Sequence, residues 1–65
     1  MFVVTRRLRN DRTTRLYLTP RGTWVFPIRF DTAQVFKDEA EARNKIDHLS
    51  VANPADADLY GISPR

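Results

Sequence analysis

The sequence contains no cysteine, one histidine and two glycines among its 65 residues. Without cysteine there is no disulfide, and a zinc site around His48 would need carboxylates for its other ligands. Two glycines leave no glycine-rich loop of the kind that cradles phosphate groups. A chain of this length buries only about 60% of the surface that it exposes when unfolded. We therefore expect one small domain that depends on side-chain packing, with homodimer formation as one way to bury more surface.

Long apolar runs are also missing from the chain. No stretch approaches the ~20 apolar residues needed to span a bilayer. The N-terminal segment places Arg6 and Arg7 after a short apolar run, the reverse of the order in a secretory signal. The lack of cysteine suits a reducing compartment. We expect a protein of the cytoplasm that has no membrane partner.

Lysine is missing from the first 32 residues, which hold seven arginines instead. The arginines are Arg6, Arg7, Arg9, Arg12, Arg15, Arg21 and Arg29. This half has two carboxylates, whereas the rest of the chain has six carboxylates against four basic residues. Such a separation of charge favours an anionic partner, either nucleic acid or an acidic protein.

Two alternating segments, residues 2–9 and 13–18, predict a β-hairpin with a turn at Asn10 and Asp11. The apolar side chains of both strands must share one face, and this requirement fixes the register. A three-residue loop satisfies this requirement on the register. The predicted pairs are Val4 with Leu18, Thr5 with Tyr17, Arg7 with Arg15, and Leu8 with Thr14.

A third strand is predicted after a turn at residues 20–22. The apolar residues Trp24, Phe26, Ile28 and Phe30 recur at every second position, so we expect them to form the main part of the core. Pro27 lies inside this run and cannot donate a ladder hydrogen bond. The segment is therefore an edge strand, or it bends or changes partner at the proline.

A helix is predicted over residues 38–49, with Asp38 as its N-cap and a narrow apolar stripe. In the tail, Asn53 and Pro54 predict a short helix that ends near Gly61 and is anchored by Leu59, Tyr60 and Ile62. The alternative is a disordered tail, which is expected if these three residues do not dock. The expected fold is α+β: a small antiparallel sheet, made of a hairpin and a third strand, packed by one helix. Residues 1–50 form the ββ(β)α domain, and residues 51–65 form the tail.

Several short motifs occur in a familiar order. They are Val3-Val4-Thr5-Arg6-Arg7, Tyr17-Leu18-Thr19-Pro20, Gly22, Trp24, Ala33-Gln34-Val35-Phe36 and Glu39-Ala40-Glu41-Ala42. In this order the chain resembles very small accessory proteins encoded by bacteriophages and prophages. The resemblance implies a hairpin-plus-helix architecture and binding to a host enzyme, a defence complex or host nucleic acid, and it carries over no catalytic residue. The tail from Val51 departs from that pattern, which often ends in a final strand, so strand-based closure of the sheet is not expected.

The predicted partner-binding site is the outer face of the hairpin and its tip. Its residues are Arg7, Arg9, Arg12, Arg15 and Tyr17. Like charges opposite each other, such as Arg7 and Arg15, destabilise a sheet, and a bound anion would relieve the repulsion. The alternative is that these arginines only keep the sheet soluble and discourage edge-to-edge pairing.

Catalysis is not expected from this sequence. His48 falls off the apolar stripe of the predicted helix and reads as a solvated side chain, because adjacent helical residues such as Asp47 do not face it. No nucleophile with a base and an orienting group can be assembled, and no cofactor or metal is expected. Trp24, Phe26 and Phe30 could form a base-stacking platform, but so short a chain needs these rings in its core, and we expect them there. The sequence thus predicts a non-catalytic protein that binds and modulates a larger host or phage protein, with nucleic-acid binding through the same face as the alternative.

Overall fold

A computed structural model describes all 65 residues as a four-stranded antiparallel sheet with an α-helix on one face. The strands are β1 (Phe2–Leu8), β2 (Asp11–Leu18), β3 (Trp24–Val25) and β4 (Tyr60–Pro64), and the helices are α1 (Glu39–Ala52) and two 3₁₀ helices, Pro27–Thr32 and Pro54–Leu59. The strand order is β3-β2-β1-β4. The predicted α+β class is confirmed. Neither α1 nor the shorter helices have the length and apolar character that crossing a membrane requires.

The hairpin has the predicted register in its central part. Thr5 lies opposite Tyr17, and Arg7 lies opposite Arg15. The prediction fails at the end of the hairpin, because Leu8 lies opposite Asp11 and not opposite Thr14. The strand pairing therefore includes Asp11, which the prediction assigns to the turn.

The cause of this difference is a bulge in β2 that is organised by Asp11. The Asp11 carboxylate accepts hydrogen bonds from the Thr13 amide (3.2 Å) and from the hydroxyls of Thr13 (2.6 Å) and Thr14 (2.7 Å). These bonds hold the bulged residues outside the ladder, so the turn shrinks to Arg9 and Asn10.

The core lies between α1 and the sheet. Its buried members are Val4, Leu18, Phe36, Ala42 and Ile46, and Phe2, Trp24, Leu49, Tyr60 and Ile62 pack against them. The prediction that the alternating run of the third strand forms the main core is wrong for three of its four residues, because Phe26, Ile28 and Phe30 are exposed. Pro27 is the reason. It starts a 3₁₀ helix, so β3 ends at Val25 as a two-residue edge strand.

After this first 3₁₀ helix, the chain crosses one end of the sheet. The Gln34 amide donates to the Leu18 carbonyl (2.8 Å), and Phe36 exchanges two backbone hydrogen bonds with Phe2. This crossing carries Phe36 to the helix-covered face, where it is buried. It replaces part of the core area that the third strand does not supply.

Helix α1 begins as predicted. Asp38 is its N-cap, and the side chain accepts a hydrogen bond from the Glu41 amide (2.9 Å). The helix runs to Ala52, three residues beyond the predicted end at Leu49. Only Ala42 and Ile46 are buried, in agreement with the narrow stripe in the sequence.

The tail forms the predicted short helix over Pro54–Leu59, with Leu59 buried, but it then adds a strand that the sequence analysis did not expect. Strand β4 pairs antiparallel with β1, which becomes a central strand. Trp24 and Tyr60, on strands at opposite edges, stack with ring centroids 5.8 Å apart. The sheet is therefore strongly curled around its core.

Candidate protein-interaction surface

The face of the sheet that α1 does not cover carries the odd-numbered residues of β1 and β2; we call it the open face. In β1 these are Val3, Thr5 and Arg7, because Val4 points into the core on the other side. Arg7 is exposed, and Arg15 and Tyr17 of β2 are half-buried. Three of the five predicted site residues are therefore on one surface.

The pair Arg7 and Arg15 has no carboxylate partner within the chain. The two residues are opposite each other in the register, and neither belongs to an ion pair. Arg7 donates a hydrogen bond to the Arg12 carbonyl (2.8 Å), which holds the side chain in place without neutralising it. The repulsion anticipated from the sequence is thus uncompensated on the open face.

Arg9 and Arg12 are placed differently from the prediction, because both turn toward the second 3₁₀ helix. Arg12 lies 3.0 Å from the Asp58 carboxylate. Arg9 lies 3.3 Å from Asp56 and 3.5 Å from Asp58, and it also donates to the Ala55 carbonyl. Both guanidiniums are engaged with carboxylates of the tail, so the predicted face of four arginines is divided, with Arg7 and Arg15 on the open face and Arg9 and Arg12 turned to the second 3₁₀ helix.

Arg6 completes this ionic cluster at the hairpin end. Its guanidinium lies 3.4 Å from Asp56, and both side chains are more than two-thirds covered. Sequence reasoning missed the cluster because it joins residues about fifty positions apart along the chain. The available signal was that Asp56 and Asp58 are the only carboxylates of the tail.

Two carboxylates near the hairpin are held in their ionised form. Hydrogen bonds from the Thr13 and Thr14 hydroxyls lower the pKa of Asp11 below its ordinary value. For Asp58, desolvation acts to raise the pKa, but hydrogen bonds from its own backbone amide and from Arg12, together with the charges of Arg9 and Arg12, lower it on balance. Both shifts stabilise the structure in which the carboxylate is charged.

An apolar segment, residues 26–30, lies next to the open face. Phe26 is 60% exposed, Ile28 87% and Phe30 53%. Burying one such side chain completely is worth about 1.5 to 3 kcal/mol, so leaving three in water is costly for so small a chain. Contiguous exposed apolar residues mark interaction sites more often than scattered ones do. The signal in the sequence was Pro27, which interrupts the alternation.

A recess separates the apolar segment from the open face. It has a volume of about 150 Å³ and is lined by Val3, Tyr17, Phe30 and Ala33 together with Ser63, Pro64 and Arg65. The guanidinium of Arg65 lies 5.4 Å from the centre of the Phe30 ring. Tyr17 thus belongs both to the open face and to the recess.

A wider groove of about 430 Å³ lies on the other side of the apolar segment. Arg21 and Arg29 line it together with Thr19, Thr23 and Thr32. Neither arginine forms an ion pair. Unpaired cations therefore flank the apolar segment on the groove side.

The only histidine is exposed on α1, as predicted. His48 lines a shallow groove with Glu41 and Lys45. No three or more histidine, aspartate or glutamate side chains gather closely enough to hold a metal ion.

Comparison with known proteins gives no relative for this chain. No protein-family model, curated protein or solved structure matches it.

Proposed function

We propose that this chain is a small non-catalytic binding protein that docks on a larger protein through the open face of its sheet. The supporting observation is the pair Arg7 and Arg15, opposite each other and without a carboxylate partner. A carboxylate of a partner would relieve their repulsion, and each guanidinium can donate two parallel hydrogen bonds to it. Tyr17, beside this pair, adds a half-buried ring with a polar tip.

The resemblance to small phage-encoded proteins supports an accessory role for this contact. In such a role the partner is a host or phage protein, and the contact blocks or alters that protein's activity. The change in the partner's activity should then follow the fraction of the partner that has this protein bound.

A protein partner fits the surroundings of the open face better than nucleic acid does. Arg6, Arg9 and Arg12 pair with Asp56 and Asp58 of the tail, and these two carboxylates offset two of the three positive charges. The remaining surface combines arginine, aromatic and aliphatic side chains. Of these, arginine and aromatic residues are enriched at protein interfaces relative to the rest of a protein surface.

The first test is charge reversal on the open face with a matched control. We expect Arg7→Glu with Arg15→Glu to abolish capture of the partner from host lysate, because the variant repels the acidic surface that the wild type attracts. Lys37→Glu with Arg43→Glu changes the net charge equally on exposed positions around α1 and should leave capture intact. Circular dichroism should show both variants folded. Equal capture by both would remove the open face as the binding site.

Nucleic-acid binding is the second candidate, favoured by the exposed rings of Phe26 and Phe30 beside unpaired arginines. Titration of the protein into duplex and single-stranded DNA and RNA at two salt concentrations separates the candidates, because phosphate binding weakens steeply with salt. We expect no binding that survives physiological salt. Tight, salt-sensitive binding that requires Arg7 and Arg15 would replace the protein-partner proposal.

A further inference from the structure

The surface beside the open face contains a protrusion and a recess. Ile28 is the most exposed large apolar residue of the chain, and Phe30 forms both part of the protrusion and a wall of the recess. A dry apolar cavity of about 150 Å³ accommodates a group the size of benzene. The recess of this protein therefore has room for one large apolar side chain of a partner.

The cations around the protrusion and the recess favour a partner surface of negative charge. Arg21 and Arg29 in the groove have no carboxylate within ion-pairing distance. A complementary surface has an apolar centre and carboxylates at its rim. That description fits a protein segment with one large apolar side chain among acidic residues.

A second copy of the chain does not supply this complement. In a two-fold symmetric dimer the same surfaces meet, which would bring Arg21 and Arg29 of both copies together. The acidic residues of α1, such as Glu39 and Asp47, lie on the opposite side of the sheet. Docking them on the apolar segment would be a head-to-tail contact, which extends into open chains unless it happens to close.

Lipid bilayers and single-stranded nucleic acids complement the protrusion and the recess less well than a protein does. A lipid surface can cover the exposed Ile28, but it has no side chain to insert into the recess. A nucleobase can stack on Phe26 or Phe30, but Ile28 has no ring to stack on. The combination of a protruding aliphatic side chain and a recess of side-chain size is specific to a protein partner.

We infer that the apolar segment and the recess form the anchor of the interface: they bind an acidic segment of the partner protein that inserts one large apolar side chain between Tyr17 and Phe30. This inference rests on the proposed function and adds the chemistry of the partner to it. The open face then contributes charge recognition, and the anchor contributes most of the buried apolar area. In protein interfaces a few residues near the centre usually carry most of the binding energy.

Binding of defined peptides tests the anchor without knowledge of the partner. The probe is a peptide with one phenylalanine flanked on both sides by glutamates, and the readout is the amide chemical shifts of the labelled protein. We expect shifts concentrated at Val3, Tyr17, Phe30 and Ser63. Replacing the phenylalanine of the peptide by alanine should weaken binding by about tenfold or more, which is the effect of losing one buried anchor. Shifts confined to α1, or equal binding of both peptides, would overturn the inference.

A matched pair of variants separates the anchor from general surface hydrophobicity. Ile28→Ser should weaken binding of the phenylalanine peptide by about fivefold to tenfold. Val51→Ser removes a side chain of similar exposure, 83%, from the end of α1 and should have no effect. Both positions are exposed, so the fold of each variant should be retained. If the two variants bind the peptide equally, the apolar segment is not the anchor.

Binding measurements with other ligands show whether something other than a protein segment binds the anchor. Ile28-dependent binding to vesicles of phosphatidylcholine and phosphatidylglycerol, to oligothymidylate, or to a second copy in light scattering would each overturn the inference if the peptide does not bind.

The anchor and the proposed function can fail separately. Loss of partner capture with Arg7→Glu and Arg15→Glu, but full capture with Ile28→Ser, would refute the anchor and keep the function. If the peptide binds at the recess but the variant with both Arg7→Glu and Arg15→Glu still captures the partner, the open face is refuted as the binding site and the anchor is kept.

Discussion

Asp11 shows how one side chain changes the end of a hairpin. From the sequence it is a residue that suits turns, and that property predicts a loop but not the loop's length. In the structure it accepts three hydrogen bonds from Thr13 and Thr14. A choice between a three-residue loop and a short turn with a bulge depends on such side-chain bonds. The predicted register therefore held at Arg7 and failed one residue later, at Leu8.

Gly22 is the residue whose backbone most restricts substitution. It has a φ of +83°, and a Cβ at this position would meet no atom within 4 Å. Gly22→Ala should lower the free energy of unfolding by about 1 to 2 kcal/mol, because an L-residue is strained in the left-handed region. Gly22→Asn should cost less, since asparagine tolerates that region better. Urea unfolding of the three proteins tests this expectation, and equal stability of the alanine variant would contradict it.

The second 3₁₀ helix is the element whose role was least predictable. Asn53 and Pro54 indicate its start in the sequence, and the structure has the helix there. Its contacts with Arg6, Arg9 and Arg12 could not be predicted, because local patterns contain no information on which distant residues meet. The helix holds the hairpin end through Asp56 and Asp58.

Removal of Asp56 should loosen this element. The residue pairs with both Arg6 and Arg9, and its side chain is 29% exposed. Asp56→Ala should lower the free energy of unfolding by about 0.5 to 2 kcal/mol, as expected for two partly exposed ion pairs. Asp47→Ala, on the exposed side of α1, is the control. Amide hydrogen exchange should increase at the hairpin end only in the Asp56 variant, and protection equal to wild type there would count against the cluster.

The same element makes the protein sensitive to acid. The pKa of Asp58 in the folded state is below its ordinary value of 3.8. The charged carboxylate therefore stabilises the fold above that value, and this contribution is lost as the pH falls through the lowered pKa. Unfolding measured from about pH 5 down to about pH 2 should show a shallower decline for Asp58→Asn than for the wild type. Identical slopes would mean that Asp58 is not held in the charged form by Arg9 and Arg12.

At the scale of the whole molecule, the third strand and β4 differ from the prediction for two separate reasons. The alternation from Trp24 to Phe30 indicates a long, buried third strand, but Pro27 ends that strand and leaves its apolar residues outside. The core area is supplied instead by Phe36 and by Tyr60 and Ile62 of β4. Composition and periodicity predicted the hairpin, the helix and the class of fold. They could not predict β4, because its pairing with β1 joins the two ends of the chain.

Strand β4 should be essential for folding. Deletion of residues 60–65 leaves β1 with an unpaired edge and removes Tyr60 and Ile62 from the core. A chain of this size has little stability to spare, so we expect the shortened protein to lose cooperative thermal unfolding. Deletion of Arg65 alone removes one backbone hydrogen bond, to Met1, and should be tolerated. A cooperative transition in the longer deletion would show that the other strands and α1 suffice.

The stack of Trp24 on Tyr60 joins two chromophores that belong to strands at opposite edges of the sheet. Stacked rings couple electronically only while both edges of the sheet stay in place. Because the chain has no other tryptophan, the indole signal comes from this stack alone. The near-ultraviolet dichroism and indole fluorescence of the protein should thus report the closure of the curled sheet directly. An intrinsic optical signal of this kind allows the integrity of every variant to be monitored without a label.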